Sequence, residues 1–372
     1  MAKKRRQIRA DFRKNRTPRA RQNEWTRRVH RDGTETPDDM LSDERLSGKG
    51  DLTRKRTITS EAGSDHVLDV DDSTTLRGRV LRAHGLTSTV ETEDGTLYEC
   101  ATRRLLKTLT TDQRHVVAAG DLVVFRPSGK NEGIIERIEP RHGVLSRTSK
   151  RRQHVIVANV DQLVIVSSAA EPYLKPNLID RYLVHAERSG IPAVICINKI
   201  DLVEPESLAA LVGVYSQMGY PVFLVSARSG LNIERFRRQL AGRESVVSGQ
   251  SGVGKSSLLN AIEPGFDLRV RAVSAESQKG RHTTTTAEVL RLASGGYVVD
   301  TPGLRQFQLW DIVPEEVAGF YRDLRPFVSR CRFPDCTHTH EDHCAVKDAV
   351  ADGWLDARRY ESYCQLREGD TT

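Results

Sequence analysis

One stretch decides the fold of this chain: Gly249-Gln250-Ser251-Gly252-Val253-Gly254-Lys255-Ser256-Ser257. It follows an apolar pair, Val246-Val247, and leads into a segment with helical character. A strand, a glycine-rich loop ending in Lys-Ser and a helix together predict a phosphate-binding loop, in which backbone N–H groups converge on phosphate oxygens. We expect Lys255 to reach the β- and γ-phosphates of a nucleotide and the Ser256 hydroxyl to ligate Mg2+.

A second motif indicates which base is bound. Asn198-Lys199-Ile200-Asp201 ends an apolar strand, and Ser226-Ala227 ends the next one. The Asp201 carboxylate can accept hydrogen bonds from both N1–H and N2–H2 of guanine, whereas adenine offers no such paired donors. Asn198 and Lys199 would support the base and its loop, and residues 226–227 fit a loop whose backbone contacts guanine O6. We therefore predict binding of GTP and GDP, and Asp201 disfavours the alternative of an ATPase.

Two further segments are typical of the γ-phosphate side of such a site. Asp300-Thr301-Pro302-Gly303 follows the apolar strand Tyr297-Val-Val, so Asp300 would hold Mg2+ through water and the Gly303 N–H would contact the γ-phosphate. Residues 283–286 are four consecutive threonines, one of which would complete the Mg2+ shell, as in a switch segment. Spacing does not decide which one does so; Thr284 and Thr285 are our choices.

The residue after Gly303 is Leu304, where Ras-type enzymes use a glutamine to orient the attacking water. An aliphatic side chain cannot do this. His282 is the nearest polar candidate, because the pKa of a histidine suits water positioning. The alternative is that His282 only forms hydrogen bonds within its own loop.

The order of these motifs is unusual, because the guanine motif precedes the phosphate loop. The order indicates a circularly permuted nucleotide-binding domain, which we place at residues 144–313. Short apolar runs alternate there with helical segments, which is typical of a parallel α/β sheet covered on both faces. Upstream, at residues 73–143, five segments of alternating polarity predict a small β-barrel, best matched by an OB-fold, although an SH3-like barrel would give a similar pattern.

The N-terminal residues 1–72 have the composition of a basic arm and a linker. Residues 1–31 contain thirteen Lys and Arg against two acids, whereas the whole chain is only +7, so the rest of the chain is net acidic. We expect the arm to be disordered when free and to contact RNA; a solubilising tail and a transit peptide are the alternatives. No run approaches the roughly 20 apolar residues of a membrane helix. We expect a cytoplasmic monomer that does not bind membranes.

Near the C-terminus, in the segment 314–372, three cysteines and a histidine lie close together. The pattern Cys331-x4-Cys336-x-His338-x5-Cys344 suits a closed, tetrahedral structural Zn2+ site within a mostly helical domain. His340 and His343 are alternatives for the fourth ligand, and unligated thiols are the alternative to a metal. The other three cysteines are predicted to pack as apolar side chains: Cys100, Cys196 and Cys364.

In this combination and order, the motifs of residues 73–365 resemble the circularly permuted ribosome-assembly GTPases called RsgA (YjeQ). The resemblance implies an N-terminal OB-fold, a permuted GTPase domain and a C-terminal zinc domain. It also implies late maturation of the small ribosomal subunit, binding to 16S rRNA and GTP hydrolysis stimulated by that subunit. The long basic arm departs from the family's usual short N-terminus.

A rival of another class is an RNA-binding zinc protein whose GTP is only structural; the full set of Mg2+ and γ-phosphate residues argues against it. One expectation concerns coupling. Because the segment 300–303 directly precedes the zinc domain in the chain, we expect γ-phosphate contacts to bias the orientation of that domain.

Overall fold

The computed structural model describes residues 6–9, 57–60, 67–68, 74–84, 87–102, 116–149, 152–268, 287–300 and 313–369. The chain forms two compact units, Met1–Val70 and Asp71–Thr372. In the first unit, three short strands form an antiparallel sheet in sequence order: β1 (Arg6–Arg9), β2 (Thr57–Ser60) and β3 (Val67–Leu68). Most of the basic arm lies outside the described residues, so its disorder and its RNA contacts stay predictions.

The second unit begins with a closed five-stranded barrel. Its strands are β4 (Leu76–His84), β5 (Thr87–Thr92), β6 (Leu97–Thr102), β7 (Leu122–Gly129) and β8 (Glu132–Ile138). The order is β4-β5-β6-β8-β7, with β7 closing onto β4 and one parallel pair, β6 with β8. The predicted OB-fold is confirmed. Alternate side chains fill the barrel, among them the fully buried Val80, Val90, Phe125 and Ile135.

A hairpin that the sequence did not predict joins the barrel to the next domain. Its strands are β9 (Leu145–Ser149) and β10 (Arg152–Val157), paired antiparallel. Residues 146–152, which run from β9 into the start of β10, are all Ser, Thr, Arg or Lys. This segment therefore lacks the alternation of apolar and polar residues from which strands are predicted.

The central domain is a six-stranded sheet with helices on both faces. Its strands are β11 (Gln162–Ser168), β12 (Ala193–Asn198), β13 (Val222–Leu224), β14 (Glu244–Ser248), β15 (Glu288–Arg291) and β16 (Tyr297–Asp300), in the order β13-β12-β11-β14-β16-β15. Its helices are α1 (Pro176–Ser189), α2 (Ala209–Gln217), α3 (Ile233–Leu240) and α4 (Lys255–Ile262). Only the edge strand β15 runs antiparallel to its neighbour.

The predicted parallel α/β fold is confirmed, and the reason for its apolar runs is burial. Every residue of β11 and of β12 is buried. Two separate hydrophobic clusters contain alternate residues of these strands, such as Ile165 and Ile195 in one and Val164 and Val194 in the other. The sheet is therefore covered on both faces.

The C-terminal region is helical and packs around a third hydrophobic cluster. Its helices are α5 (Val317–Phe320), α6 (Arg325–Val328), α7 (Ala345–Ala351) and α8 (Ala357–Glu368). The cluster includes Val184 of α1, so this region shares a core with the central domain. Within the described ranges, no helix combines the length and the hydropathy needed to cross a membrane.

Candidate functional site

The phosphate loop connects β14 to α4 at the carboxyl end of the parallel strands. Gly249, Gly252 and Gly254 have φ angles of 149°, 85° and 89°. A Cβ at Gly249 would lie 2.0 Å from the carbonyl oxygen of Val166, and one at Gly254 would lie 2.5 Å from Asn198 Nδ2. Glycine is therefore required at both positions by conformation and by close contact.

Three polar side chains stand at the start of α4, where the helix N-terminus favours anions. Lys255 Nζ donates hydrogen bonds to the carbonyl oxygens of Gly249, at 2.6 Å, and of Gln250, at 2.8 Å. These contacts hold the ammonium group over the loop. Ser256, the second residue of the helix, and Ser257 are half-buried beside it.

Asn198 links the phosphate loop to the predicted base-binding loop. It ends β12 and is 1% exposed. Its Nδ2 donates to the carbonyl oxygen of Val253 at 3.0 Å, and its Oδ1 accepts from the backbone N–H of Ala227 at 3.1 Å. One buried amide thus ties together three loops that are far apart in the sequence, and both its donor and acceptor functions are used.

The Asp201 carboxylate is exposed but held in one orientation. Its Oδ1 accepts a hydrogen bond from the Ser226 hydroxyl at 2.6 Å. The Ser226 Oγ in turn accepts a hydrogen bond from the backbone N–H of Ser229 at 3.1 Å. Ile200 beside it is buried in the core. Lys199 has a φ of 63°, and its Nζ donates to the carbonyl oxygen of Glu171. The structure therefore brings the four residues 198–201 and Ser226-Ala227 next to the phosphate loop.

The γ-phosphate side is described only in part. Asp300 is the last residue of β16 and pairs with Val247 of β14, two residues before the phosphate loop begins. Its backbone position therefore suits the predicted Mg2+ role. His282, Thr284, Thr285 and Gly303 lie outside the described residues, so their roles stay predictions.

The four predicted metal ligands form one cluster. The ligand atoms of Cys331, Cys336, His338 and Cys344 all lie within 4.8 Å of one another. Sγ of Cys331 is 3.4 Å from His338 Nδ1 and 3.9 Å from Cys344 Sγ, and the latter is 3.6 Å from His338 Nδ1. Tetrahedral zinc bonds of about 2.3 Å to sulfur and about 2.0 Å to nitrogen give edges of about 3.5 to 3.8 Å. The donor set and its spacing fit a tetrahedral metal ion.

The alternatives for the fourth ligand are not in this cluster. The side chain of His340 is 81% exposed, and His343 is also exposed.

Burial raises the pKa of the Cys336 thiol to about 12 and lowers the pKa of the His338 imidazole. A divalent cation among these groups would stabilise the thiolates and bring the thiol pKa down.

Backbone contacts around the cluster fix its loop. Burial alone would raise the pKa of Glu341, but hydrogen bonds from Thr337 and Thr339 outweigh burial and lower it. The backbone N–H groups of these threonines lie 2.6 and 3.1 Å from the carboxylate. Two tyrosines of α8 hold the same loop, with Tyr360 donating to the carbonyl oxygen of His338 at 2.8 Å and Tyr363 to that of Thr337 at 2.7 Å.

Sequence reasoning missed the residue that attaches this metal centre to the central domain. The side chain of Arg359, in α8, is 2% exposed. Its Nη1 lies 2.6 Å from Oδ1 of the fully buried Asp180 in α1, and its Nε and Nη2 donate to the two oxygens of Asp323 at 2.9 and 2.8 Å. Tyr215 of α2 donates to the same Asp180 oxygen at 2.7 Å. An arginine in an otherwise polar helix gives no signal that it is buried.

A second cluster at this interface contains a glutamate, a tyrosine and two arginines. Glu187 accepts hydrogen bonds from the hydroxyl of Tyr220 at 3.1 Å, from Arg322 Nε at 2.6 Å and from Arg325 Nη2 at 2.7 Å. The guanidinium carbon of Arg322 lies 4.2 Å from the ring centroid of Tyr220. Tyr220 stands two residues before β13, the strand that leads to Ser226. The C-terminal domain therefore contacts the base-binding half of the central domain.

Comparisons with known proteins agree with this geometry. The family model described as RsgA GTPase matches residues 138–310. The small ribosomal subunit biogenesis GTPase RsgA of Chlorobaculum parvum is 42% identical over 304 residues, which span 78% of this chain and 97% of that protein. The protein of the same name from Gemmatimonas aurantiaca is also 42% identical, over 80% of this chain and 98% of its own.

Two solved structures have similar folds. The crystal structure of YjeQ from Thermotoga maritima superposes with a TM-score of 0.65 at 36% identity, covering 79% of this chain and 98% of that one. The structure of YloQ, titled a circularly permuted GTPase, gives 0.62 at 31% identity over 81% and 97% of the two chains. With such identities over almost the whole length of its relatives, this chain belongs to the RsgA family of circularly permuted GTPases.

Proposed function

We propose that this protein is a GTPase that binds the small ribosomal subunit, acts in its late maturation and hydrolyses GTP to GDP and phosphate. One observation carries the proposal: Asn198 joins the phosphate loop and the base-binding loop through one buried amide, beside an oriented Asp201 carboxylate. The ribosomal part is supported by relatives whose names describe them as small ribosomal subunit biogenesis GTPases.

Binding and orientation of the nucleotide are assigned to the base-binding loop, the phosphate loop and the γ-phosphate side. Asp201 accepts from the guanine N1–H and N2–H2, and the backbone N–H groups of the phosphate loop and Lys255 bind the phosphates. Ser256, one of Thr284 and Thr285, and Asp300 through water would hold Mg2+, which supplies charge neutralisation at the β- and γ-phosphates. Gly303 N–H would contact the γ-phosphate.

Water positioning is the step for which the chain lacks the usual group. Leu304 cannot orient water, so the free protein hydrolyses GTP slowly, and the small subunit accelerates hydrolysis by ordering His282 near the attacking water. His282 therefore acts only in the transition state and adds nothing to GTP affinity.

The metal in the Cys3His cluster is Zn2+, with a structural role. Three thiolates and one imidazole suit zinc and leave no open position for catalysis. The barrel and the zinc domain contact 16S rRNA, and the basic N-terminal arm adds phosphate contacts that weaken with salt. The protein works as a cytoplasmic monomer.

The test is GTP turnover with and without purified small ribosomal subunits. We expect slow hydrolysis by the protein alone, strong acceleration by the subunits and no turnover of ATP. His282→Ala should remove most of the acceleration and leave GTP binding unchanged. His340→Ala is the matched control, because His340 is an exposed histidine outside the metal cluster.

Two outcomes would contradict the proposal. Tight GTP binding without turnover under either condition would favour the rival, an RNA-binding zinc protein with a structural GTP. Equal stimulated rates for the parent and His282→Ala would remove His282 from the mechanism while leaving the GTPase assignment in place.

A further inference from the structure

The barrel contacts the edge of the sheet that carries the phosphate-binding motifs. Strand β4 of the barrel lies against β15, the edge strand, and Leu81 of β4 packs against the core cluster of the central domain. Arg82 of β4 forms an ion pair with Glu288, the first residue of β15. The barrel thus covers an edge whose backbone groups would otherwise be open to other strands.

Arg79 is the most connected residue of this contact. It lies in β4 with its side chain 13% exposed, and its Nη2 pairs with the carboxylate of Glu244, which is 16% exposed. Its Nη1 donates to the carbonyl oxygen of Gly120 in the barrel at 3.2 Å. Its guanidinium carbon lies 4.7 Å from the ring centroid of Tyr297. One planar cation therefore joins the barrel to two strands of the sheet.

A barrel glutamate completes the cluster. Glu91 of β5 is 8% exposed and accepts a hydrogen bond from the Tyr297 hydroxyl at 3.0 Å. Arg291 Nη1 lies 3.5 Å from its other oxygen. We call Arg79, Glu91, Glu244, Arg291 and Tyr297 the barrel-side cluster.

The sheet residues of the barrel-side cluster form one row across three strands. Glu244 pairs with Tyr297, and Tyr297 pairs with Arg291. Glu244 begins β14, whose other end enters the phosphate loop, and Tyr297 begins β16, whose other end is Asp300. At about 3.3 Å per residue, the row lies roughly 15 Å from the phosphate loop. Both strands therefore connect this row to the phosphate side of the sheet.

We propose that Arg79 is a positioning residue for GTP hydrolysis: through Glu244 and Tyr297 it couples the barrel to the strands that carry the phosphate loop and Asp300. A small subunit bound to the barrel acts on the phosphate side by this route. The inference rests on the proposed function for its stimulating partner, but the cluster itself belongs to the free protein.

The test compares two conservative variants with two matched controls in the full chain. Tyr297→Phe removes only the hydroxyl that binds Glu91 and keeps the ring under Arg79. Tyr220→Phe is its control, because Tyr220 also donates to a glutamate and lies under an arginine, but at the zinc-domain interface. Arg79→Lys keeps the charge but cannot contact all three partners at once. Its control is Arg137→Lys, since Arg137 is also 13% exposed and pairs with Glu139 within the barrel region.

We expect Tyr297→Phe and Arg79→Lys to lower the subunit-stimulated kcat about five-fold. The unstimulated rate and the affinity for a fluorescent GDP analogue should stay within about two-fold, as should every rate of the two controls. A purely structural role would instead change the unstimulated rate, the affinity and the unfolding midpoint together. Equal stimulated rates for Arg79→Lys and its control Arg137→Lys would overturn the inference.

A second readout needs no ribosomal subunit. Amide hydrogen exchange in β4 and β5 should differ between the GDP state and the state with a non-hydrolysable GTP analogue in the parent, and Arg79→Lys should reduce that difference. If subunits fail to stimulate the parent, the proposed function fails, and exchange then decides the inference alone. An identical nucleotide response of β4 in parent and variant would overturn it.

Discussion

The central domain has two interfaces, one with the barrel and one with the zinc domain. Each contains an arginine, a tyrosine and a glutamate in a similar arrangement, and each lies near a different half of the nucleotide site. On the barrel side, Arg79 lies 4.7 Å from the ring of Tyr297, whose hydroxyl donates to Glu91 at 3.0 Å. On the zinc side, the corresponding distances are 4.2 Å from Arg322 to Tyr220 and 3.1 Å from Tyr220 to Glu187. The first cluster stands at the start of strands leading to the phosphate motifs, and the second stands near the strand leading to Ser226.

The two interfaces differ in how strongly their charges are held. On the zinc side, burial alone would lower the pKa of Arg359, but the hydrogen bonds to Asp323 and the charge of Asp180 outweigh it and raise that pKa. On the barrel side, burial raises the pKa of Glu244, and Arg79 only partly offsets this effect. Burial on the zinc side is therefore outweighed and Arg359 stays charged, whereas burial on the barrel side disfavours the charged state of Glu244.

The largest effect should follow loss of the metal. Structural zinc sites contribute on the order of 10 kcal/mol to folding, so Cys336→Ser should unfold residues from about 320 onward while the central sheet stays folded. Amide hydrogen exchange measures which residues unfold, and metal analysis measures the zinc content of the parent and of the variant. Cys364→Ser is the control, because this half-buried cysteine lies outside the cluster. Absence of zinc from protein purified without chelators would contradict the metal assignment.

Breaking the buried pair on the zinc side should come next. Arg359→Leu leaves Asp180 buried and uncompensated, and we expect a loss of about 3 to 5 kcal/mol in the free energy of unfolding, measured with denaturant. The double variant with Asp180→Asn should recover part of the loss. A loss below about 1 kcal/mol for the single variant would mean that the zinc side is no firmer than an exposed ion pair.

The base half can be tested by itself. Asp201→Asn should weaken GTP binding by at least about 2 kcal/mol, because charge-assisted hydrogen bonds to guanine are lost. Titration with a fluorescent GTP analogue measures the change. Glu204→Gln, at an exposed acid beyond the motif, should bind as the parent does. GTP binding by Asp201→Asn as tight as that of the parent would contradict the guanine site.

The smallest effect concerns Glu244. Because its folded pKa is raised above the ordinary 4.5, its contribution to stability is fully present below that pH and is lost as the pH rises through the folded pKa. Glu244→Gln resembles the protonated group. Relative to the parent, it should therefore be more stable at pH 7 than at pH 4, by less than about 1 kcal/mol in unfolding free energy. A relative stability that falls between pH 4 and pH 7 would contradict the pKa direction.

The sequence predicted the barrel, the parallel sheet and the metal cluster because these depend on local patterns. Asn198 was recognised from four adjacent residues, and the metal ligands lie within fourteen. Strand β15 was missed because it is a short edge strand of four residues whose alternation is brief. Its antiparallel partner β16 supplies the pairing that the sequence does not reveal.

The interface residues could not be predicted for a different reason. Three of them are charged: Arg79, Glu91 and Arg359. A charged residue in a strand or helix is predicted to face solvent unless its partner is known. Those partners come from distant parts of the chain. Adjacency along the chain also suggested that the γ-phosphate acts on the zinc domain, whereas the described contacts of that domain are with the base half. Residues 301–312 lie outside the described part, so that expectation stays a prediction.

The central claim is that the barrel follows the state of the phosphates. Hydrogen exchange of the parent with GDP and with a non-hydrolysable GTP analogue tests it directly. The account predicts that protection changes in β4, β5 and β15. Unchanged protection of β4, β5 and β15 between the two nucleotide states would contradict it.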